Sequence, residues 1–124
     1  MNKDTRLSVV TRAQFKCELC GGSLDSMSVH HRRPRGMGGT RRGWVNEPDN
    51  LLAVCGSGVT GCHGMIESRR ADAYDFGWLV RTGMDPSTVP FCDLDGQWWL
   101  LNMTKMRITM PFNPPALPPI ARRG

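Results

Sequence analysis

The first apolar residues of the chain lie in a stretch of helix-forming composition, residues 8–16, which predicts one short helix. Four side chains are candidates for the inward face of this helix: Val9, Val10, Ala13 and Phe15. The polar residues 1–4 before it are expected to be frayed. The helix would end at Cys17 and deliver that cysteine to the following turn.

Short apolar runs predict two strands in the first half of the chain, at residues 27–30 and 50–55. Between them, residues 32–43 contain one proline and four glycines, a composition that favours a loop over a regular element. A second helix is predicted from residue 62 to about residue 74. Gly77 is expected to end it.

The second half of the chain predicts a small antiparallel sheet. Its strands are expected at residues 78–80, 89–92 and 98–102. Residues 93–96 end in Asp-Gly, a pair that favours a hairpin turn because glycine accepts positive φ. Residues 111–124 hold five prolines and predict an extended, proline-rich tail.

The length of 124 residues predicts one small domain, over residues 1–110, and the predicted helices and strands make it an α+β domain. A core of this size often needs a metal ion or disulfides to hold it together. No apolar stretch is long enough for a membrane span, and no apolar segment follows the polar N-terminus, so we expect a cytoplasmic protein. In that reducing compartment the five cysteines predict metal ligands before disulfides. Cys92, distant from the other four, is expected to be a free, half-buried thiol.

Positive charge is concentrated in the glycine-rich loop. The formal net charge is +5, and residues 29–43 contain five basic residues and no acid. These are Arg32, Arg33, Arg35, Arg41 and Arg42. A loop with charges of one sign is typical of a polyanion partner and predicts contacts with DNA phosphates. The alternative is a charged loop that only faces solvent.

Four cysteines form two pairs, Cys17 with Cys20 and Cys55 with Cys62. Four thiolates suit tetrahedral zinc, so the pairs predict a structural zinc site. The second pair has six intervening residues, more than the usual spacing, but they form a glycine-rich loop that could bulge out. A redox Cys-x-x-Cys pair, or four unpaired reduced cysteines, are the alternatives.

All three histidines of the chain lie between the two cysteine pairs or directly after them: His30, His31 and His63. Neighbouring residues on a strand point in opposite directions, so His30 and His31 must have different roles. The arrangement suits metal-assisted phosphodiester hydrolysis, in which His30 and His63 bind a divalent ion. His31 would take the proton from the attacking water. Asn50 would orient His31 through hydrogen bonds to the loop backbone, unless it is simply a turn residue.

The order His-His, Gly-Gly, Asn-Leu-Leu-Ala-Val-Cys and Cys-His resembles the HNH endonucleases, the ββα-metal or His-Me finger superfamily. The upstream Cys-x-x-Cys resembles the zinc-stapled branch of that family. The resemblance covers about residues 17–75. It implies a small ββα-metal finger with a four-cysteine zinc knot, flanked by the N-terminal helix and the C-terminal sheet. It also implies a DNA endonuclease with structural Zn²⁺ and a catalytic Mg²⁺, Mn²⁺, Ni²⁺ or Zn²⁺ ion.

Roles carry over from the family by position. The resemblance implies that His30 and His63 bind the catalytic metal and that His31 is the general base. It also implies that Asn50 is the asparagine of the His-Asn-His motif after which the family is named. Many members have Asp where this chain has His30, a difference that would shift the metal preference toward softer ions. Glu67, one helical turn after His63, could reach the same metal or could be a solvated helix residue.

The chain is also similar to small HNH proteins encoded beside the terminase genes of tailed bacteriophages. This similarity implies double-stranded DNA as substrate, a role in DNA packaging, and terminase or portal as partner. The main alternative is a non-catalytic zinc-knot module that binds DNA or acts as a scaffold. A redox or zinc-storage protein is a further alternative, but it would leave the basic loop unexplained. Three histidines favour the enzyme, because a binding module has no use for them.

Overall fold

The computed structural model describes residues 2–24, 28–33, 47–57 and 59–109. Predictions for Arg35, Arg41, Arg42 and the tail at residues 111–124 lie outside these residues. The helices and strands, in chain order, are α1 (Lys3–Arg12), β1 (Val29–His31), β2 (Leu51–Ala53), α2 (Gly61–Ser68), α3 (Arg70–Asp75), β3 (Phe91–Cys92), β4 (Trp98–Asn102) and β5 (Thr104–Ile108). Short 3₁₀ turns lie at Pro48–Asn50 and Pro86–Thr88. Within the described ranges no helix is long and apolar enough to cross a membrane.

Helix α1 begins and ends earlier than the sequence predicts. The Asn2 side chain accepts a hydrogen bond from the Thr5 amide at 2.7 Å and so caps the first turn. The predicted fraying of residues 1–4 is therefore wrong from the cap onward. Three of the four predicted inward residues are buried, but Phe15 is 57% exposed. The helix has ended by then, and the Phe15 backbone takes a left-handed φ of 58°.

The strands form two separate antiparallel sheets. In the first, β1 pairs with β2 and places His30 opposite Leu52. In the second, β4 lies between β3 and β5, and β4 has the bounds that the sequence predicts. The structure is thus a small α+β domain, as expected. Strand β5 was not predicted, because its side chains are mostly exposed and lack the apolar alternation of a half-buried strand.

The strand predicted at residues 78–80 is wrong. All three side chains are buried, but the backbone forms no strand ladder there. Instead, the Leu79 amide donates to the Ala73 carbonyl at 3.0 Å, and the Val80 amide donates to the Arg32 carbonyl at 2.8 Å. Apolar composition alone could not separate a buried strand from a buried irregular segment.

The predicted helix over residues 62–74 is divided into α2 and α3 at Arg69, whose backbone leaves helical geometry at φ −127° and ψ 55°. The helical region ends before Gly77, as predicted. Gly77 has a φ of 75°, and a Cβ atom at this position would lie 1.9 Å from the Pro90 carbonyl oxygen. Only glycine fits there, so the chain can turn sharply from α3 toward the second sheet.

The main core lies between β2, the α2–α3 region and the second sheet. It includes the stacked rings of Phe76 and Trp78, whose centroids are 5.3 Å apart, and the buried ring of Trp98. Trp98 thus belongs to the core. Cys92 lies in the same core and is almost fully buried, more deeply than the sequence predicts. A smaller cluster packs α1 against β2.

An ion pair covers the outer edge of β2. The Arg12 guanidinium donates two hydrogen bonds to the Glu18 carboxylate, at 3.0 and 2.7 Å, and a third to the Leu51 carbonyl. The same carboxylate accepts the Ala53 amide at 2.8 Å, and Lys105 approaches it to 3.6 Å. The Glu18 side chain is fully buried. Side chains thereby satisfy backbone groups that an edge strand would otherwise leave unpaired.

Replacing Glu18 with glutamine is expected to lower the free energy of unfolding by about 3 kcal/mol, because Arg12 then keeps a largely buried charge without its counter-charge. Urea denaturation measures the change. Asp72→Asn is the matched control, since it removes the exposed partner of Arg69 and is expected to cost less than about 1 kcal/mol. Equal losses in the two variants would contradict a structural role for the buried pair.

Candidate metal centres

Four cysteines converge from three parts of the chain, and we call them the cysteine cluster: Cys17, Cys20, Cys55 and Cys62. All four are buried, and their sulfur atoms lie within 4.8 Å of one another. The Cys20 and Cys55 sulfurs are 3.8 Å apart. Tetrahedral zinc with bonds of about 2.3 Å requires sulfur separations of about 3.8 Å. The cluster could therefore bind a structural metal such as zinc.

Backbone amides surround the sulfurs of the cysteine cluster. The Cys20 amide donates to Cys17 Sγ at 3.5 Å, the Gly22 amide to Cys20 Sγ at 3.4 Å, and the Cys62 amide to Cys55 Sγ at 3.5 Å. A hydrogen bond from Cys62 lowers the pKa of Cys17 to about 5, whereas burial raises the pKa of Cys20 to about 11. Four thiolates this close repel one another, and a divalent cation among them would remove that repulsion.

The six residues between Cys55 and Cys62 leave the cluster geometry intact, as predicted. This loop closes on itself, because the Ser57 amide donates to both the carbonyl and the hydroxyl oxygen of Thr60, at 3.1 and 3.0 Å. Gly56 has a φ of 88°, and a Cβ atom there would lie 2.1 Å from the Thr60 carbonyl oxygen. The glycine therefore permits the close approach that returns the chain to Cys62.

A second group of possible ligands, which we call the histidine cluster, consists of His30, His63 and Glu67. Their ligand atoms lie within 4.8 Å of one another. His30 comes from β1, and His63 comes from the first turn of α2, with ring centroids 5.4 Å apart. Glu67 follows one helical turn after His63 and so faces the same side. The sequence alone left Glu67 open between a ligand and a surface residue, and its carboxylate also lies 3.3 Å from Arg70.

Hydrogen bonds select one nitrogen on each imidazole. His30 Nε2 lies 2.8 Å from the Trp78 carbonyl oxygen, which can only accept, so we assign the proton to Nε2 and the available lone pair to Nδ1. His63 Nδ1 lies 3.3 Å from Ser28 Oγ, which leaves Nε2 for a ligand. Burial lowers the pKa of His30 to about 4 and also lowers the pKa of His63. Both rings are thus neutral at neutral pH, the form that binds metals.

The buried neutral His30 is expected to make stability depend on pH. Its native pKa of about 4 lies below the ordinary value of 6.5, so the unfolded chain binds more protons between these values. Stability is therefore lost as pH falls through this window, by about 2 kcal/mol between pH 7 and pH 5. Urea unfolding of the zinc-loaded protein at both pH values tests this, with His30→Gln as the matched variant. The same pH dependence in both proteins would rule out His30 as its source.

His31 lies next to His30 on β1 and so points to the opposite face of the strand. Asn50 forms hydrogen bonds with the backbone of the two residues that follow His31, Arg32 and Arg33. Asn50 Oδ1 accepts the Arg33 amide at 2.7 Å, and Asn50 Nδ2 donates to the Arg33 carbonyl at 3.0 Å. The Asn50 carbonyl also accepts the Arg32 amide at 2.8 Å. The two bonds of the Asn50 side chain are of the side-chain to backbone kind that the sequence predicts, and the residue is buried.

The prediction that Arg32 contacts DNA is wrong. Its side chain has no exposed surface, so it cannot reach a phosphate on a partner. The guanidinium instead donates to four backbone carbonyls, those of Gly77, Asp49, Pro86 and Val89. Burial lowers the pKa of Arg32 to about 9, so the group stays charged at neutral pH. Nothing in the sequence of a basic, glycine-rich stretch distinguishes a buried arginine from an exposed one.

Contact between DNA phosphates and the other four arginines of the basic loop remains a prediction. Arg33 is half-buried and its guanidinium lies 3.4 Å from the Met84 carbonyl oxygen. The remaining three fall outside the part of the chain that the structure describes: Arg35, Arg41 and Arg42.

The two clusters share one turn of helix, because Cys62 and His63 are consecutive at the start of α2. A metal in the cysteine cluster would therefore fix the position of His63 relative to His30. This arrangement can hold one structural ion and can present a second ion beside it. Comparison with protein-family models, with curated proteins and with solved structures gives no match to this chain.

Proposed function

We propose that this protein is a metal-dependent DNA endonuclease of the HNH type. The observation that carries the proposal is the convergence of His30, His63 and Glu67, with His31 on the opposite face of the same strand. The chain order β1, β2, α2, with ligands on β1 and α2, is the order expected of a ββα-metal fold. A binding module would need the cysteine cluster but not this second group of ligands.

The histidine cluster would bind a divalent cation such as Mg²⁺, Mn²⁺, Ni²⁺ or Zn²⁺, which would supply charge stabilisation at the scissile phosphate and the leaving oxygen. Two neutral imidazoles and one carboxylate fit such an ion. Burial keeps His30 neutral, and the hydrogen bond to Trp78 aims its ring. The cysteine cluster would hold Zn²⁺ in a purely structural role, since four thiolates leave no open position.

His31 would be the general base that accepts the proton from the attacking water. Imidazole is the side chain that most often serves this purpose. Asn50 would act as a positioning residue, because its two hydrogen bonds to Arg33 fix the backbone that leaves β1 after His31. Because consecutive side chains on a strand point in opposite directions, His30 would bind the ion and His31 would face the attacking water.

Double-stranded DNA is the substrate that we propose. The net charge of +5 favours a polyanion, and Arg33, Arg35, Arg41 and Arg42 would contact phosphates on either side of the cleaved bond. Such contacts position the duplex without reading its sequence, so we expect weak sequence preference. The resemblance to phage packaging proteins leads us to propose terminase or portal as the partner in the cytoplasm of the host.

Cleavage of supercoiled plasmid tests the proposal. Protein that carries zinc in the cysteine cluster alone should nick or linearise the plasmid only after addition of Mg²⁺, Mn²⁺ or Ni²⁺. His63→Ala should lose this activity, whereas Ser68→Ala, an exposed position on the same helix, should retain it. Equal cleavage by the wild type and His63→Ala would overturn the proposed site. DNA binding without cleavage under all three ions would favour a non-catalytic DNA-binding module.

A further inference from the structure

The side chain of His30 in β1 and that of Arg32, directly after β1, reach consecutive carbonyls of the segment that follows α3. His30 Nε2 lies 2.8 Å from the Trp78 carbonyl oxygen, and Arg32 Nε donates to the Gly77 carbonyl at 2.9 Å. Their spacing of two along an extended chain places both side chains on one side. The Val80 amide completes the connection by donating to the Arg32 carbonyl at 2.8 Å.

The Trp78 carbonyl is held from several directions. The Trp78 indole donates to the Cys92 carbonyl at 2.7 Å, which fixes the residue to the second sheet. Gly77, directly before it, packs so closely that a Cβ atom would lie 1.9 Å from the Pro90 carbonyl oxygen. Arg32 anchors this segment to two further parts of the chain, through the carbonyls of Asp49, Pro86 and Val89.

This arrangement decides which nitrogen of His30 can bind a metal. A carbonyl oxygen accepts and never donates, so a rigid carbonyl at 2.8 Å keeps the proton on Nε2. The lone pair then resides on Nδ1, and a metal-bound imidazole requires such a lone pair on the nitrogen that coordinates. If the carbonyl moved away, the proton could occupy either nitrogen and the ring could rotate.

We propose that Arg32 is a positioning residue for the histidine cluster, which holds the Trp78 carbonyl in place and thereby sets His30 to bind its metal through Nδ1. The proposal rests on the metal site of the proposed function. Arg32 suits the task because its planar guanidinium presents donors in several fixed directions, whereas lysine offers a single flexible ammonium. The charge of Arg32 therefore serves the metal site and does not contact DNA.

The first test uses the wild-type protein with zinc in the cysteine cluster and no other metal or DNA. Nitrogen-15 NMR of the imidazole rings should show His30 with its proton on Nε2. A proton on Nδ1 would overturn the assignment. Addition of Mn²⁺ should then broaden the His30 Nδ1 signal more strongly than the Nε2 signal, and the reverse order would also overturn it.

Arg32→Lys and Arg32→Met test the role of the guanidinium. We expect both tautomers of His30 and a loss of Mn²⁺ affinity of about 10- to 100-fold, with zinc content unchanged. Arg81→Met is the matched control, because Arg81 follows the same segment but is exposed and stacks on Tyr74. If Arg32 variants that fold keep the single tautomer and wild-type affinity, Arg32 is only structural and the proposal fails.

A milder variant covers the case in which neither Arg32 variant folds. Trp78→Phe keeps the carbonyl but removes the indole hydrogen bond to Cys92. Because Arg32 still holds this segment through the Gly77 carbonyl, Trp78→Phe should keep the single tautomer and an Mn²⁺ affinity close to that of the wild type. A mixture of tautomers in this variant would show that the indole, and not Arg32, holds the carbonyl, and would contradict the proposal. A wild-type protein with the expected tautomer but no Mn²⁺ binding would instead overturn the proposed function, while the tautomer assignment would stand.

Discussion

Removal of the metal from the cysteine cluster is expected to unfold the protein. The four sulfurs connect the turn after α1, the end of β2 and the first turn of α2, and they lie within the main core. Structural zinc contributes about 10 kcal/mol or more in small zinc domains, which is comparable with the whole stability of a domain of this size. Cys17→Ser, or chelation of the wild type, should therefore abolish the cooperative thermal transition and the near-ultraviolet circular dichroism of the tryptophans.

Cys92→Ser is the control for this experiment. Cys92 is also buried, but it lies outside the cysteine cluster, and its thiol donates to the Asp93 carbonyl at 3.3 Å. This variant should keep one bound zinc per chain and lose about 1 kcal/mol of stability. Stoichiometric zinc and an unchanged melting temperature in Cys17→Ser would show that the cluster is not a metal site.

His31→Ala is expected to lower the rate of DNA cleavage by about 10²- to 10⁴-fold, the usual contribution of a general base. The side chain lies on the face of β1 opposite His30 and is not part of the histidine cluster, so its removal should leave Mn²⁺ affinity unchanged. Single-turnover nicking at saturating Mn²⁺ measures the rate, and fluorescence anisotropy measures DNA affinity. His63→Ala should differ from it by losing both metal affinity and cleavage.

Two results would contradict this assignment. Cleavage by His31→Ala at the wild-type rate would show that another group, or the solvent, accepts the proton. A parallel loss of Mn²⁺ affinity and rate would show that His31 is a ligand. Partial restoration of the rate by added imidazole, in His31→Ala but not in His63→Ala, would support proton transfer as the missing step.

The sequence predicted the parts of the site that depend on spacing and strand alternation. Two cysteine pairs sufficed to predict the cysteine cluster, because four thiolates are a ligand set that suits tetrahedral zinc. The opposite faces of His30 and His31 followed from the pleat of a strand. The hydrogen bonds of the Asn50 side chain to the Arg33 backbone, 17 residues earlier, agree with the expectation that Asn50 bonds to the backbone of the loop after β1.

The parts that could not be predicted depend on contacts between distant residues. Arg32 is buried because carbonyls from residues 49, 77, 86 and 89 converge on it, and no local pattern encodes that convergence. In the sequence Glu18 is only a polar residue within a cysteine turn, yet it pairs with Arg12 and with the backbone of β2. Residues 78–80 have the composition of a strand, but the supporting hydrogen bonds come from Ala73 and Arg32 instead of a neighbouring strand.

The ion pair between Arg12 and Glu18 also affects how the protein behaves at high concentration. An exposed strand edge is a template on which a second chain can add its own strand, and such pairing leads to aggregation. At β2 the carbonyl of Leu51 and both polar backbone groups of Ala53 are already engaged by Arg12 and Glu18. A neighbouring molecule therefore has nothing to pair with there. Within the described ranges, the other outer strands are β1 in the first sheet and β3 and β5 in the second.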